Sequence, residues 1–205
     1  HEMKLTIAER LGSPANKKPR ERSSVRVALV QFSWQEDPEV HKSNIAAGIE
    51  IAAKNGAEIV FLPELTLSRY PADTLPAGVP SDSAEDLDSG PTFSFFADMA
   101  SHYGITVHGS FYEKTGFADG RGLNTAILVG SNGKLLARTP KLHIPVTEGY
   151  FEDKYFQPGP AKSPYPVTEL DLTGKPRVGL PTCWDEWFPE VARAYGLAGA
   201  DILCY

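Results

Sequence analysis

The amino-acid sequence predicts an α/β fold, and three observations carry that prediction. Strand-like apolar runs alternate with amphipathic helical runs from residue 25 onward, and the first three read β-α-β. The opening run, Val25 to Phe32, is apolar enough to sit in a sheet covered on both faces. Between two later strand-like runs stands Asn132-Gly133, a hairpin signal that makes the later part of the sheet antiparallel.

Residues 1–24 are polar and rich in lysine and arginine. They read as a flexible, solvated leader, with a basic arm for nucleic acid as the alternative. Residues 25–205 form the single predicted domain, beginning with the Val25–Phe32 strand. Asp37-Pro38 supplies an N-cap and a first-turn proline for a helix running to about Lys54. Its apolar face is assigned to Val40, Ile45, Ile49 and Ala52, and Gly56 ends it. Glu58 to Leu62 is the next strand, so the order implies a parallel pair joined by a right-handed crossover. Thr66 to Asp88 is a long polar, proline-containing loop, a length usually functional or disordered in a compact domain. A second helix spans Pro91 to Tyr103, with Phe95, Phe96 and Met99 on its apolar side, and Ile105 to Tyr112 is a third strand. Leu123–Val129 and Lys134–Arg138 flank the hairpin turn. Pro140 to Pro166 is irregular, followed by short strands at Val167–Leu172 and Arg177–Leu180 around Gly174. The last elements are a helix over Pro189–Gly199, with Val191, Ala194, Tyr195 and Ala198 on one side, and a strand over Asp201–Tyr205.

Composition narrows the function. A chain of 205 residues that is 41% hydrophobic supports one well-packed core. A net charge of −6 argues against a nucleic-acid or anionic-membrane surface. No apolar run approaches the roughly 20 residues a membrane helix needs, and no apolar signal segment opens the chain. Two cysteines make no disulfide framework, so a reducing, cytoplasmic setting is expected.

Three places stand out chemically. Cys183 follows the apolar run Val178–Leu180 and precedes two tryptophans, two acids and a proline-initiated helix. A thiol at such a turn, close to helix N-terminal amides, is expected to have a lowered pKa and to serve as a nucleophile. The plain alternative is a small buried hydrophobe, which is how Cys204 reads. Glu64 stands at the end of an apolar strand, where partial shielding from water suits a general base; alone it reads more often as a loop acid or cap. Lys141 lies in the apolar, proline-flanked stretch Thr139–Pro145 and is either an oxyanion-holding cation or a snorkelling strand-end lysine. His143 or His108 is a candidate base for a Cys–His pair, which spacing leaves open. No cysteine pair has zinc spacing, the histidines are scattered, and no glycine-rich phosphate loop of either standard form occurs.

Phe61-Leu62-Pro63-Glu64-Leu65, Lys141-Leu142-His143-Ile144-Pro145 and Cys183-Trp184-Asp185-Glu186-Trp187-Phe188-Pro189-Glu190 together resemble the nitrilase superfamily of carbon–nitrogen hydrolases. The motifs occur in the family's order, and the resemblance covers about residues 25 to 205. It implies a four-layer α-β-β-α sandwich. It also implies roles: Cys183 as nucleophile, Glu64 as general base, Lys141 as the oxyanion-holding cation and the Trp184 N–H as a second oxyanion donor. Phe151 to Gly159 resembles a further family segment, whose Glu152 implies a second acid that orients the substrate or the lysine. The implied activity is hydrolysis of a small amide or N-carbamoyl amine through an acyl-enzyme, with no cofactor. Cys-Trp-Asp-Glu-Trp-Phe-Pro-Glu is most similar to the amidase and carbamoyl-hydrolase branches, N-carbamoylputrescine amidases foremost. N-carbamoyl-amino-acid hydrolases and omega-amidases are the neighbouring alternatives, and a catalytically inactive subunit or binding module is the alternative from another class. Two departures bear on substrate: Leu180-Pro181-Thr182 precedes the cysteine, and the loop after Glu64 is poor in aromatics. The resemblance further implies a homodimer or larger homo-oligomer formed through helices that include Pro189–Gly199. It also implies that later strands of the sandwich lie beyond Tyr205.

Overall fold

The computed structural model describes residues 3–8 and 21–205. Most of the predicted leader, residues 1–2 and 9–20, lies outside the described residues.

Strand β1 (Val27–Leu29) leads to helix α1 (Pro38–Lys54), whose start is fixed as its sequence requires. The Asp37 carboxylate accepts from the Glu39 and Val40 amides, and Pro38 occupies the first turn, where it forfeits no hydrogen bond. The buried face of α1 is His41, Ile45, Ile49 and Ala52. Val40 is half exposed, a correction to the predicted face. The 3.6-residue repeat places His41, not Val40, in line with Ile45 and Ile49.

Strand β2 (Ile59–Phe61) pairs in parallel with β1, and β3 (Thr106–Glu113) pairs in parallel with β2. Helix α2 (Pro91–Tyr103) precedes β3 and ends at Gly104 in the left-handed region. The Asn132-Gly133 hairpin joins β4 (Leu123–Val129) to β5 (Leu135–Pro140), and both are antiparallel to their neighbours. The five strands lie in order β1-β2-β3-β4-β5. A short helix α3 (Glu152–Tyr155) interrupts the irregular segment. Then come β6 (Thr168–Glu169), β7 (Arg177–Gly179), helix α4 (Pro189–Leu197) and β8 (Ile202–Leu203). β6, β7 and β8 form a second sheet, with β7 and β8 parallel.

Packing gives the layers. Ile45 and Ile49 of α1 and Phe96 and Ala100 of α2 cover one face of the first sheet, meeting Val60, Val107 and Ile127. The other face, carrying Ile59, Phe61, Ala126 and Leu128, packs on Leu170, Val178 and Leu180 of the second sheet. α4 closes the far side. Its Tyr195 ring lies so close to Gly179 that a Cβ there would come within 2.5 Å of it. The result is the α-β-β-α order. β1 departs from the predicted two-sided cover: Val27 and Leu29 face outward, Leu29 at 80% exposure, because the second sheet reaches β2 but not β1.

Two reversals of direction make β5 run the same way as β2. The ends of β2 and β5 and the start of β4 therefore meet at one edge, which carries Glu64, Lys141 and Asn124.

Candidate active site

Each candidate side chain is placed by a local constraint. Glu64 follows β2 in a tight turn in which Leu65 adopts a φ of 51°, a strained value for a non-glycine residue. β3 holds that turn: the Leu65 N–H donates to Ser110 Oγ at 2.7 Å and the Thr66 N–H to the Ser110 carbonyl at 2.9 Å. His41 braces the same turn from α1. Its Nδ1 accepts from the Gln35 N–H at 3.3 Å, so Nε2 carries the proton and donates to the Thr66 carbonyl at 2.9 Å.

Lys141 is the residue immediately after β5, and its side chain has no exposure to solvent. A buried ammonium is tolerated only when paired. Here Nζ donates to Glu64 Oε1 at 3.1 Å and to Glu152 Oε2 at 2.8 Å. Burial opposes its charge, but the two carboxylates outweigh burial and hold its pKa above the ordinary lysine value. Glu152 opens α3 and is buried, which raises its pKa against the pull of Lys141. Its other oxygen accepts from the Tyr70 hydroxyl at 2.9 Å, and burial and Glu152 keep that phenol protonated.

Cys183 opens a single 3-10 turn, Cys183–Trp187, with a φ of 46°. The turn begins with a capping box, Thr182 and Asp185 satisfying each other's amides. Trp184 is the turn's second residue, where amides lack partners within the turn. The Glu64 carboxylate is close enough to the Cys183 thiol for its negative charge to act on it. The thiol's ionisation corrects the expectation of a lowered pKa. Burial, and then the negative charge of Glu64, push it up to about 11, with Lys141 pulling the other way. α4 starts only at Pro189, so its amides do not serve the thiol. A thiol held that high keeps its proton at neutral pH.

The structure thus brings Glu64, Lys141, Glu152 and Cys183 to one edge, with Trp184 the next residue of the cysteine turn. It does not bring either histidine to the thiol as a base. His143 Nδ1 is committed to Asp185 at 2.8 Å and its ring stacks on Phe188. His108 points into the space between the sheets, 3.7 Å from Cys204, where burial lowers its pKa to about 4.

Three residues went unassigned by sequence. Asn124 donates from Nδ2 to Glu64 Oε1 at 2.5 Å. Tyr70 holds Glu152, as above. Fully buried Asp185 accepts from the Thr182 N–H at 2.9 Å, the His143 N–H at 2.9 Å and the Leu142 N–H at 3.4 Å, tying the cysteine turn to the lysine segment. Signals exist for two of them: Thr182-x-x-Asp185 is a capping-box pattern, and Asn124 is a polar amide next to Thr125 in a largely apolar strand. Beside Glu64 lies a recess of about 180 Å³ walled by Phe32, Trp34, His41, Leu65 and Tyr70. Among the described residues no group of His, Cys, Asp and Glu has a metal-holding arrangement.

Two facing sheets clad by helices, with a thiol, a lysine and two acids at their shared edge, place the chain in the nitrilase superfamily. It belongs to the carbon–nitrogen hydrolase family, whose model matches residues 26–205. It is 34% identical to a citrullinase from Francisella tularensis over 89% of this chain and 61% of that protein. It is 30% identical to an N-carbamoylputrescine amidase from Solanum lycopersicum over 88% of this chain and 57% of that protein. Among solved structures, it superposes with a TM-score of 0.71 on the amidase from Nesterenkonia sp. AN1, a nitrilase-superfamily protein 27% identical to it. That match covers 88% of this chain and 65% of the amidase, captured after Michael addition of acrylamide at its active site cysteine. The chain therefore spans somewhat under two thirds of the length of the relatives it matches.

Proposed function

We propose that this protein hydrolyses a carbon–nitrogen bond in a small linear amide or N-carbamoyl amine through a thioester on Cys183. The observation that carries the reading is a buried lysine shared by Glu64 and Glu152, with the Cys183 thiol near enough to feel the charge of all three. Glu64 takes the thiol proton as Cys183 Sγ bonds to the substrate carbonyl carbon. The carbonyl π electrons move onto oxygen, where Lys141 Nζ and the Trp184 N–H hold the oxyanion. As the C–N bond breaks, its electron pair takes the proton from Glu64 and ammonia or an amine leaves. Water then attacks the thioester, losing its proton to Glu64; the oxyanion re-forms the carbonyl, the C–S electron pair goes to sulfur, and sulfur takes that proton back from Glu64. Glu152, braced by Tyr70, keeps Lys141 charged and aimed through both halves. No step draws on a metal or an organic cofactor.

The aromatic walls of the recess beside Glu64 suit an alkyl or cationic tail. Arg69 is paired with Asp73, and His143 with Asp185. The reading therefore places N-carbamoylputrescine-like amines first, with polyamine metabolism as the setting. N-carbamoyl amino acids and omega-amides belong to the same chemistry. A homodimer through α4 belongs to the same reading, supported by Trp187 and Leu197, exposed at 72% and 79%. A cytoplasmic site of action is supported by two free cysteines. Among the described residues, no helix is long and apolar enough to cross a membrane.

The test is ammonia release by the full-length protein from a panel of N-carbamoylputrescine, citrulline, N-carbamoyl amino acids and simple amides. Turnover of at least one, abolished by Cys183→Ala, is expected. No turnover across the panel, or unchanged turnover in the variant, would overturn the reading.

A further inference from the structure

We propose that Asn124 is a positioning residue that gives the two oxygens of Glu64 different tasks. The proposal rests on the reading of Glu64 as the base. Asn124 is the second residue of β4 and is completely buried. Its Nδ2 donates to Glu64 Oε1 at 2.5 Å, and Lys141 Nζ donates to that same oxygen at 3.1 Å. Oε1 is thereby fixed by two donors arriving from β4 and from the end of β5. Oε2 receives neither and is the oxygen left to take the thiol proton. Asn124 also fixes the root of the lysine, because its backbone carbonyl accepts from the Lys141 N–H at 2.8 Å. One residue thus touches both partners of Cys183, through its side chain on one and its main chain on the other.

The orientation of the amide follows from charge. Turned over, Asn124 would press its carbonyl oxygen against a carboxylate oxygen, so the donor faces Glu64. The consequence is that Oδ1 is buried with no hydrogen-bond partner among the described residues. An unpaired buried acceptor is a cost, and such costs gather where geometry serves function rather than stability. An asparagine also suits the place better than an acid. The ionisable groups that already face Glu64 are Lys141, Glu152, Cys183 and Tyr70. A third carboxylate there would compete with Glu64 for the proton it must take from sulfur.

The experiment uses the full-length protein with Asn124→Leu and Asn124→Asp. Three readouts are taken: kcat and KM for ammonia release, the pH profile of kcat/KM, and the rate at which iodoacetamide labels Cys183. Asn124→Leu is expected to lower kcat by about 30- to 100-fold with KM changed less than about threefold, the pattern of a lost transition-state arrangement. Labelling slows by about tenfold or more in parallel. Asn124→Asp keeps the shape, yet moves the acid limb of the pH profile upward by about one unit, because two carboxylates this close hold one proton between them. Wild-type labelling, KM and pH profile, with only thermal stability reduced, would overturn the proposal. If Asn124→Leu does not fold, the near-isosteric aspartate variant decides, and an unmoved acid limb overturns it. Labelling needs no substrate, so it separates the two readings. An unresponsive labelling rate sinks the role of Asn124 even where hydrolysis is confirmed. Absence of hydrolysis in the unmodified protein sinks the proposed function while the labelling comparison still decides on Asn124.

Discussion

Asp185→Ala tests whether the site depends on a buried carboxylate that itself touches no reacting atom. Asp185 accepts from Thr182 N, His143 N and His143 Nδ1 at 2.8–2.9 Å and from Leu142 N at 3.4 Å, and it is fully buried. A hydrogen bond to a charged acceptor contributes about 1.5–3 kcal/mol, and deleting the acceptor leaves buried donors unsatisfied. These terms are not additive, so the loss for the whole cluster is about 3–5 kcal/mol. For a domain of this size that lowers the melting temperature by roughly 6–20 °C. The chemical effect is separate. The same bonds hold the Cys183 turn against the segment that begins with Lys141, and a displacement of about 1 Å between reacting groups costs about 100-fold in rate. The assay pairs thermal unfolding of the full-length protein with iodoacetamide labelling of Cys183 below the melting temperature. Asp185→Asn, which keeps one acceptor oxygen and turns an N–H₂ toward the remaining donors, should fall between wild type and alanine. If Asp185→Ala unfolds within about 1 kcal/mol of wild type and labels at the wild-type rate, the clamp does not exist and the reasoning fails.

Other outcomes follow from the same geometry. Glu64→Gln should abolish hydrolysis yet move the Cys183 titration below about 11, because burial remains while the neighbouring negative charge is gone; thiolate absorbance against pH measures it, and a higher midpoint would contradict the account. Lys141→Met should lower kcat by about 10²–10³-fold through the lost oxyanion partner. It should also destabilise the protein by about 3–5 kcal/mol, read by denaturant unfolding, because Glu64 and Glu152 then face each other without their cation. Cys183 and Cys204 hold their protons more tightly folded than unfolded, at about 11 and about 12 against an ordinary 9.0. Their contribution to stability is complete below the unfolded value and is lost as pH rises from there through the folded values, so replacing both by alanine should flatten the alkaline decline in denaturant unfolding.

Much of this was legible in the sequence, where local chemistry decides structure. Asp37-Pro38 starts α1 and Asn132-Gly133 turns the β4–β5 hairpin because each acts through its own backbone neighbours. The carbon–nitrogen hydrolase motifs located all four groups that meet at the sheet edge. The supports around them were less visible. Tyr70 and Glu152 are 82 residues apart in sequence and meet only because the long loop folds back on α3. Asn124 and Glu64 are separated by 60 residues, and only the antiparallel return of β4 brings the amide to the end of β2. The expected lowering of the thiol pKa fails because the sequence shows a nearby helix start but not its distance. The charge of Glu64 reaches the sulfur, while the α4 amides begin six residues later. Leu29 reads as a core residue, and its exposure depends on how far a separate sheet extends.

The measurement closest to the central claim is rapid quenching of the full-length protein with N-carbamoylputrescine or the best substrate found, followed by peptide mass spectrometry. The account predicts an acyl adduct, equal in mass to the carbonyl half of the substrate, on Cys183 and absent from Cys204. It also predicts that the adduct forms at the rate of the first ammonia or amine release. Steady turnover with no adduct on Cys183, or turnover that survives Cys183→Ala, would contradict it.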